Sequence, residues 1–125
     1  MKVTAEKNEK VGIMIFGSIY PHYLSRLEKN GRTKKELNQV IEWFTGYNEE
    51  MLQTLIDEKV TFSTFFDKAK IHPNEYMIKG VVCGYRIEEI EDEFVLYKQC
   101  RQMEKLIDEL AKGRKMEKII RKEKK

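Results

Sequence analysis

Residues 92–112 read DEFVLYKQCRQMEKLIDELAK. Within them Leu96, Cys100, Met103, Ile107 and Leu110 recur at spacings of 4, 3, 4 and 3. That repeat places side chains on one side of an α-helix. Phe94, Tyr97, Leu106 and Ala111 widen the stripe to the broad apolar face of a bundle helix. The seam runs just over two heptads, short for a free-standing coiled coil. It predicts a long C-terminal helix from about Asp92 to Lys112 whose seam is either intramolecular core or a self-association face. Acids crowd its start in EEIEDE, residues 88–93, and bases follow its end, which complements the helix dipole. Gly113 is the expected stop.

Working upstream, the short helices announce themselves by their caps. Thr33-Lys34-Lys35-Glu36 is a capping box, in which hydroxyl and carboxylate each satisfy an orphan amide. Leu37, Val40, Ile41 and Phe44 then share one helical face, and Gly46 is a left-handed cap. Asn48, followed by Glu49 and Glu50, caps the next helix. Thr61 or Ser63 opens a short one anchored by Phe62, Phe65 and Phe66. Before these, Pro21 fits a first helical turn and Asn30-Gly31 a stop. Residues 1–10 are polar and expected to fray, and 11–17 read as a short strand or extended lead-in. Residues 76–90, YMIKGVVCGYRIEEI, fit two periods at once. A helix or irregular turn is favoured there, because one short strand has few partners.

The fold class that follows is mostly α: a compact single-domain bundle of about five helices, with one short strand or irregular segment near 80–87. Residues 1–10 form a flexible N-terminus, 11–113 the helical domain and 114–125 a basic amphipathic tail.

The chain has 125 residues, 36% of them charged, and a mean hydropathy of −0.62. No run of about 20 apolar residues exists, so a membrane-spanning helix is excluded. The apolar run VGIMIFGSIY, residues 11–20, follows Glu6 and Glu9 and has no small-residue cleavage site after it, so it reads as a buried segment and not as an export signal. The net charge of +3 is uneven. Residues 112–125 hold eight bases and two acids, a net +6, which leaves −3 on the body.

Chemistry-bearing residues are sparse. Cys83 and Cys100 do not form a CxxC pair, and His22 and His72 stand apart, so no metal set and no cofactor motif is present. Cys83 sits in GVVCGYR with Arg86 three residues on, and a nearby cation lowers a thiol pKa. Arg32 precedes the free amides of a helix start, where an anion could sit. Tyr20, His22, Tyr23, Trp43 and Tyr47 supply aromatics with polar handles for a pocket or an interface. Cys100 lies in the heptad seam and reads as packing.

The blocks YPHY (20–23), KNGRTKKELNQVIEWFTGY (29–47), FSTFF (62–66), IKGVVCGYRIEEIED (78–92) and LIDELAKGRKMEKIIRK (106–122) occur in an order that resembles the bacterial family of short proteins known as domain of unknown function 2200. Relatives commonly carry a proline after the acid pair where Glu93 stands here. The resemblance implies a cytoplasmic bacterial protein and no particular chemistry.

Three functional readings stand. The leading one is a cytoplasmic, non-enzymatic interaction module, homodimeric through the long helix. The second is nucleic-acid binding through Arg114, Lys115, Lys118, Arg121 and Lys122. The third is a small-ligand or thiol site in which Tyr20, Tyr23, Trp43, Tyr47, Cys83 and Arg86 converge on one pocket.

Overall fold

Helix α6, Val95–Ala111, is the pillar on which the other elements are hung. Its seam is core: Cys100, Met103, Ile107 and Leu110 are all buried within the chain. Of the two outcomes open for that seam, the intramolecular one holds, and these side chains are not available to a second copy. The computed structural model describes residues 3–121.

Around the pillar lie α1 (Ala5–Ile13), α2 (Phe16–Lys29), α3 (Lys34–Thr45), α4 (Glu49–Asp57) and α5 (Phe62–Asp67), with α7 (Met116–Ile119) after it. The mostly α fold class therefore holds. Several caps are where the residues place them. Thr33 accepts from Glu36 N–H while the Glu36 carboxylate takes Thr33 N–H. Gly46 ends α3 in the left-handed region, Asn48 caps α4 and Thr61 caps α5.

Two segments in the N-terminal part of the chain depart from the sequence expectation. The polar start is not a loose lead: Thr4 caps α1, which packs on α5 and α6. Gly12 is the reason the approach works, because a Cβ there would meet Leu96 Cδ2 at 2.8 Å. Helix α2 begins at Phe16, so Pro21 lies inside it and not in its first turn. Backbone bonds from Phe16 N–H to Val60 O and from Phe62 N–H to Met14 O clamp the chain just before that helix. Burial of Phe16 then outweighs the ladder bond that proline removes.

Residues 81–86 form neither a helix nor a lone strand. Strand β1 (Val81–Val82) pairs antiparallel with β2 (Tyr85–Arg86). The two-residue link Cys83-Gly84 has φ of 51° and 81°, the geometry of a mirror-image hairpin turn. Glycine is at ease there; cysteine is not, and it is held by its contact below. The strand finds its partner in its own other arm, and the hairpin rests on α6.

The C-terminal segment is also docked. After Ala111 the amides of Gly113 and Arg114 bond back to Leu110 and Glu109 carbonyls, and α7 buries Ile119. Asn74 Nδ2 donates to Arg121 O at 2.8 Å. Residues 114–121 thus fold onto the body, while Lys122 and the residues after it lie outside the described range.

Candidate functional site

The hairpin turn points Cys83 at α6. Its Sγ donates to Glu104 Oε2 at 3.3 Å, and Cys100 Sγ, one helical turn before Glu104, lies 3.8 Å from Oε1. Both thiols of the chain therefore meet one carboxylate, although one is exposed and the other buried. Arg101 anchors that carboxylate at 2.5 Å and bonds Tyr97 OH at 2.7 Å, with its guanidinium over the rings of Tyr85 and Tyr97. The Tyr23 hydroxyl is buried with no bonding partner among the described residues. Burial, then the charges of Cys100 and Glu104, push its phenol well above the ordinary value.

This environment opposes a nucleophilic cysteine. Partial burial, then the Glu104 charge and hydrogen bond, raise the Cys83 thiol above its usual range, and burial raises Cys100 far more. Arg86, read from the sequence as the activating cation, is exposed on β2 and is not among the groups that set the Cys83 value. Replacing Glu104 by Gln removes the negative charge beside the thiolate. Iodoacetamide labelling of Cys83 is then expected to speed up several-fold near pH 8, with the midpoint of its pH profile moved down. An unchanged rate would show that Glu104 does not govern the thiol.

The other sequence candidates do not converge on Cys83. Arg32 is a structural clamp: its Nε donates to Leu110 O at 3.0 Å, Nη1 to Glu36 at 2.6 Å and Nη2 to Arg114 O. Its donors close the C-terminal end of α6 instead of holding an anion. Tyr20 OH bonds Asn38 and Tyr47 OH bonds Phe65 O, while His22 stands exposed on α2. Trp43 stacks on His72 with centroids 4.3 Å apart. Trp43, Tyr47 and Arg86 line three different clefts. In the basic segment, Arg121 and Arg114 both bond Glu109. Of the five side chains named for nucleic acid, Arg114, Lys115 and Lys118 are exposed, Arg121 is half-buried, and Lys122 lies outside the described residues.

A different feature went unread in the sequence. Two adjoining clefts of about 350 and 330 Å³ run beside the N-terminal half of α6 and share Val95 and Gln99. Phe66 and Leu96 line one, and Ile71, Pro73, Glu75 and Gln102 the other. Val95 is 53% exposed at their junction, a large apolar side chain facing outward. The signal for it was present, since Val95 falls outside the seam, yet periodicity does not say which off-seam residue borders a cleft.

Comparison with known proteins fits this architecture. The profile of the family described as "uncharacterized protein conserved in bacteria (DUF2200)" matches residues 10–121. The chain belongs to the DUF2200 family. The crystal structure of the uncharacterized protein SP1917 is similar to this DUF2200 chain at 33% identity, with a TM-score of 0.84, over 93% of this chain and 97% of that one. No curated protein matches it. Among the described residues of the DUF2200 chain, no helix is long and apolar enough to cross a membrane, and no group of three His, Cys, Asp or Glu could hold a metal ion.

Proposed function

We propose that this DUF2200 protein is a cytoplasmic, non-enzymatic interaction module whose working surface is the groove beside α6. The observation that carries this reading is Val95, set out in solvent at the junction of two clefts to which Ile71, Pro73, Phe66 and Leu96 also contribute apolar surface. An exposed apolar residue in a concave, mixed-polarity surface is what a docking partner covers. The hydrophobic seam of α6 is already occupied by the core, so the groove is the face of this helix left to a partner. Free Cys83 and Cys100 accord with a reducing compartment.

The test is site-specific photo-cross-linking in the producing cell. Benzoylphenylalanine at Val95 is expected to give a discrete adduct with another protein. The same group at Glu117, on α7, is expected to give none. Filling one cleft by Ser63→Tyr is expected to suppress the Val95 adduct. Equal labelling from both positions, or an adduct indifferent to Ser63→Tyr, would overturn the groove as the working surface. An adduct with a second copy of the chain would make the module a homodimer.

A further inference from the structure

We infer that Cys83 and Cys100 are a redox pair, a modification site at which a small disulfide oxidant closes a reversible bond between the hairpin and α6. The site lies apart from the groove, which neither cysteine lines. The chain has two cysteines, and the fold brings both to one carboxylate. Cys83 Sγ donates to Glu104 Oε2 at 3.3 Å, and Cys100 Sγ donates to Oε1 at 3.8 Å. Side chains on a helix lean toward its N-terminus, so the Glu104 carboxylate lies over the turn that carries Cys100. A thiol that reaches this carboxylate from the hairpin comes down on the same turn. Contacts on either side of Cys83 fix that register. Lys105 Nζ donates to Val81 O at 3.2 Å, and the Arg101 guanidinium covers the Tyr85 ring. The turn itself does not call for a cysteine. Its first position favours Asn, Asp or Gly, whereas Cys83 carries a Cβ into the left-handed region at φ 51°.

Neither thiol is activated, and the pair rests reduced: burial, then the Glu104 charge, keep both protonated. What the fold supplies is proximity. Cys83 is the exposed member and meets the oxidant first. A bond forms from Cys83 Sγ to one sulfur of the small disulfide, the sulfur–sulfur bond of that molecule breaks, and the Cys83 proton leaves with the departing thiol. Cys100 Sγ then attacks Cys83 Sγ. The Cys83–Cys100 bond forms, the mixed disulfide breaks, and the Cys100 proton passes by way of the Glu104 carboxylate to the second departing thiol. Two protein thiols are thereby oxidised by two electrons, and one small disulfide is reduced to two thiols. Cys100 is buried, so an outside disulfide does not reach it, and the second step gains from being intramolecular. The bond needs Cβ atoms about 4 Å apart, so Glu104 must swing aside and the turn must settle on α6. The Glu104 side chain is 20% exposed and has solvent to turn into. The hairpin has two residues in each arm, a unit with little stability of its own to resist the movement.

The experiment incubates the reduced full chain with excess glutathione disulfide near pH 8, blocks the remaining thiols with iodoacetamide in denaturant, and digests with trypsin for mass spectrometry. Cleavage after Lys79, Arg86, Lys98 and Arg101 releases residues 80–86 and 99–101, each with one cysteine. In the monomeric chain these two fragments are expected to be joined, and dithiothreitol is expected to separate them. Cys100→Ser is expected to stop at the glutathione adduct on Cys83, which should be about tenfold more abundant than in the unaltered chain. Cys83→Ser is expected to leave Cys100 unmodified, because burial shields it. An unaltered chain that stays fully reduced, one that stays as the Cys83 adduct, or fragments joined only across two chains would each overturn the pair. A Cys83→Ser chain that takes up glutathione at Cys100 as fast as the unaltered chain loses its thiols would overturn the order of attack.

Discussion

Phe65→Ala is expected to destabilise the protein by about 3–5 kcal/mol, the range for emptying a fully buried aromatic site. Phe65 is wholly buried and stacks on Phe16 with centroids 4.1 Å apart. Its edges meet Phe62, Phe66 and Tyr47, so truncation strips partners from four rings at once. The neighbours cannot all collapse into the space, because α2 and α5 are tied by the backbone bonds at Val60 and Met14. The melting temperature should fall by about 15 °C for a chain of this length. Tyr76→Ala is the control: Tyr76 is 58% exposed, and its loss should stay within about 0.5 kcal/mol. A loss at Phe65 no larger than at Tyr76 would mean that the ring cluster is not the centre of the core.

Arg121→Ala is expected to cost about 3 kcal/mol, the scale for removing one partner of a buried ion pair. Its guanidinium grips Glu109 with both nitrogens, at 2.7 and 2.9 Å, and also donates to Ile119 O. Glu109 is a carboxylate buried to 6% exposure, and without Arg121 it keeps only Arg114, which is half exposed. The penalty is chiefly that of a buried charge left under-paired. Glu109→Gln in the Arg121→Ala background should therefore recover part of the loss, and the double-mutant cycle should return a clear coupling energy. Additive losses would show that the two side chains act separately. The pair also bears on the basic segment, since Arg121 and Arg114 both bond Glu109 of the body.

Much of the helical architecture was legible in the residues because its signals are local. Thr33 and Glu36 lie within one turn, so their capping box needs nothing from the rest of the chain. The same holds for Asn48, Thr61 and the α6 seam. The start of α2 was misread for the opposite reason. Pro21 is a local cue, and it lost to the burial of Phe16 and to bonds reaching Val60 and Phe62. The hairpin at 81–86 was open for want of a visible partner, and its partner was its own second arm, stabilised by α6.

The candidate site was hardly legible. Cys83 could be seen as exposed by its glycines, but Glu104 lies 21 residues on and nothing local links them. Arg32 looked like an anion binder beside a helix start, yet Leu110 and Arg114 carbonyls, some 80 residues away, claimed its donors. Gln102 reads as an ordinary polar residue on a helix. Only the placement of Glu75 against it shows where its amide nitrogen is held.

The sequence by itself determined a mostly helical chain with a long apolar-striped helix near its end, because hydrophobic periodicity and helix caps are properties of neighbouring residues. The tertiary structure alone decided that the stripe is core, that most of the +6 segment folds back with its arginines on Glu109, and which polar groups face one another. Those outcomes depend on contacts between residues far apart in the chain, whose meeting is set by packing and not by spacing.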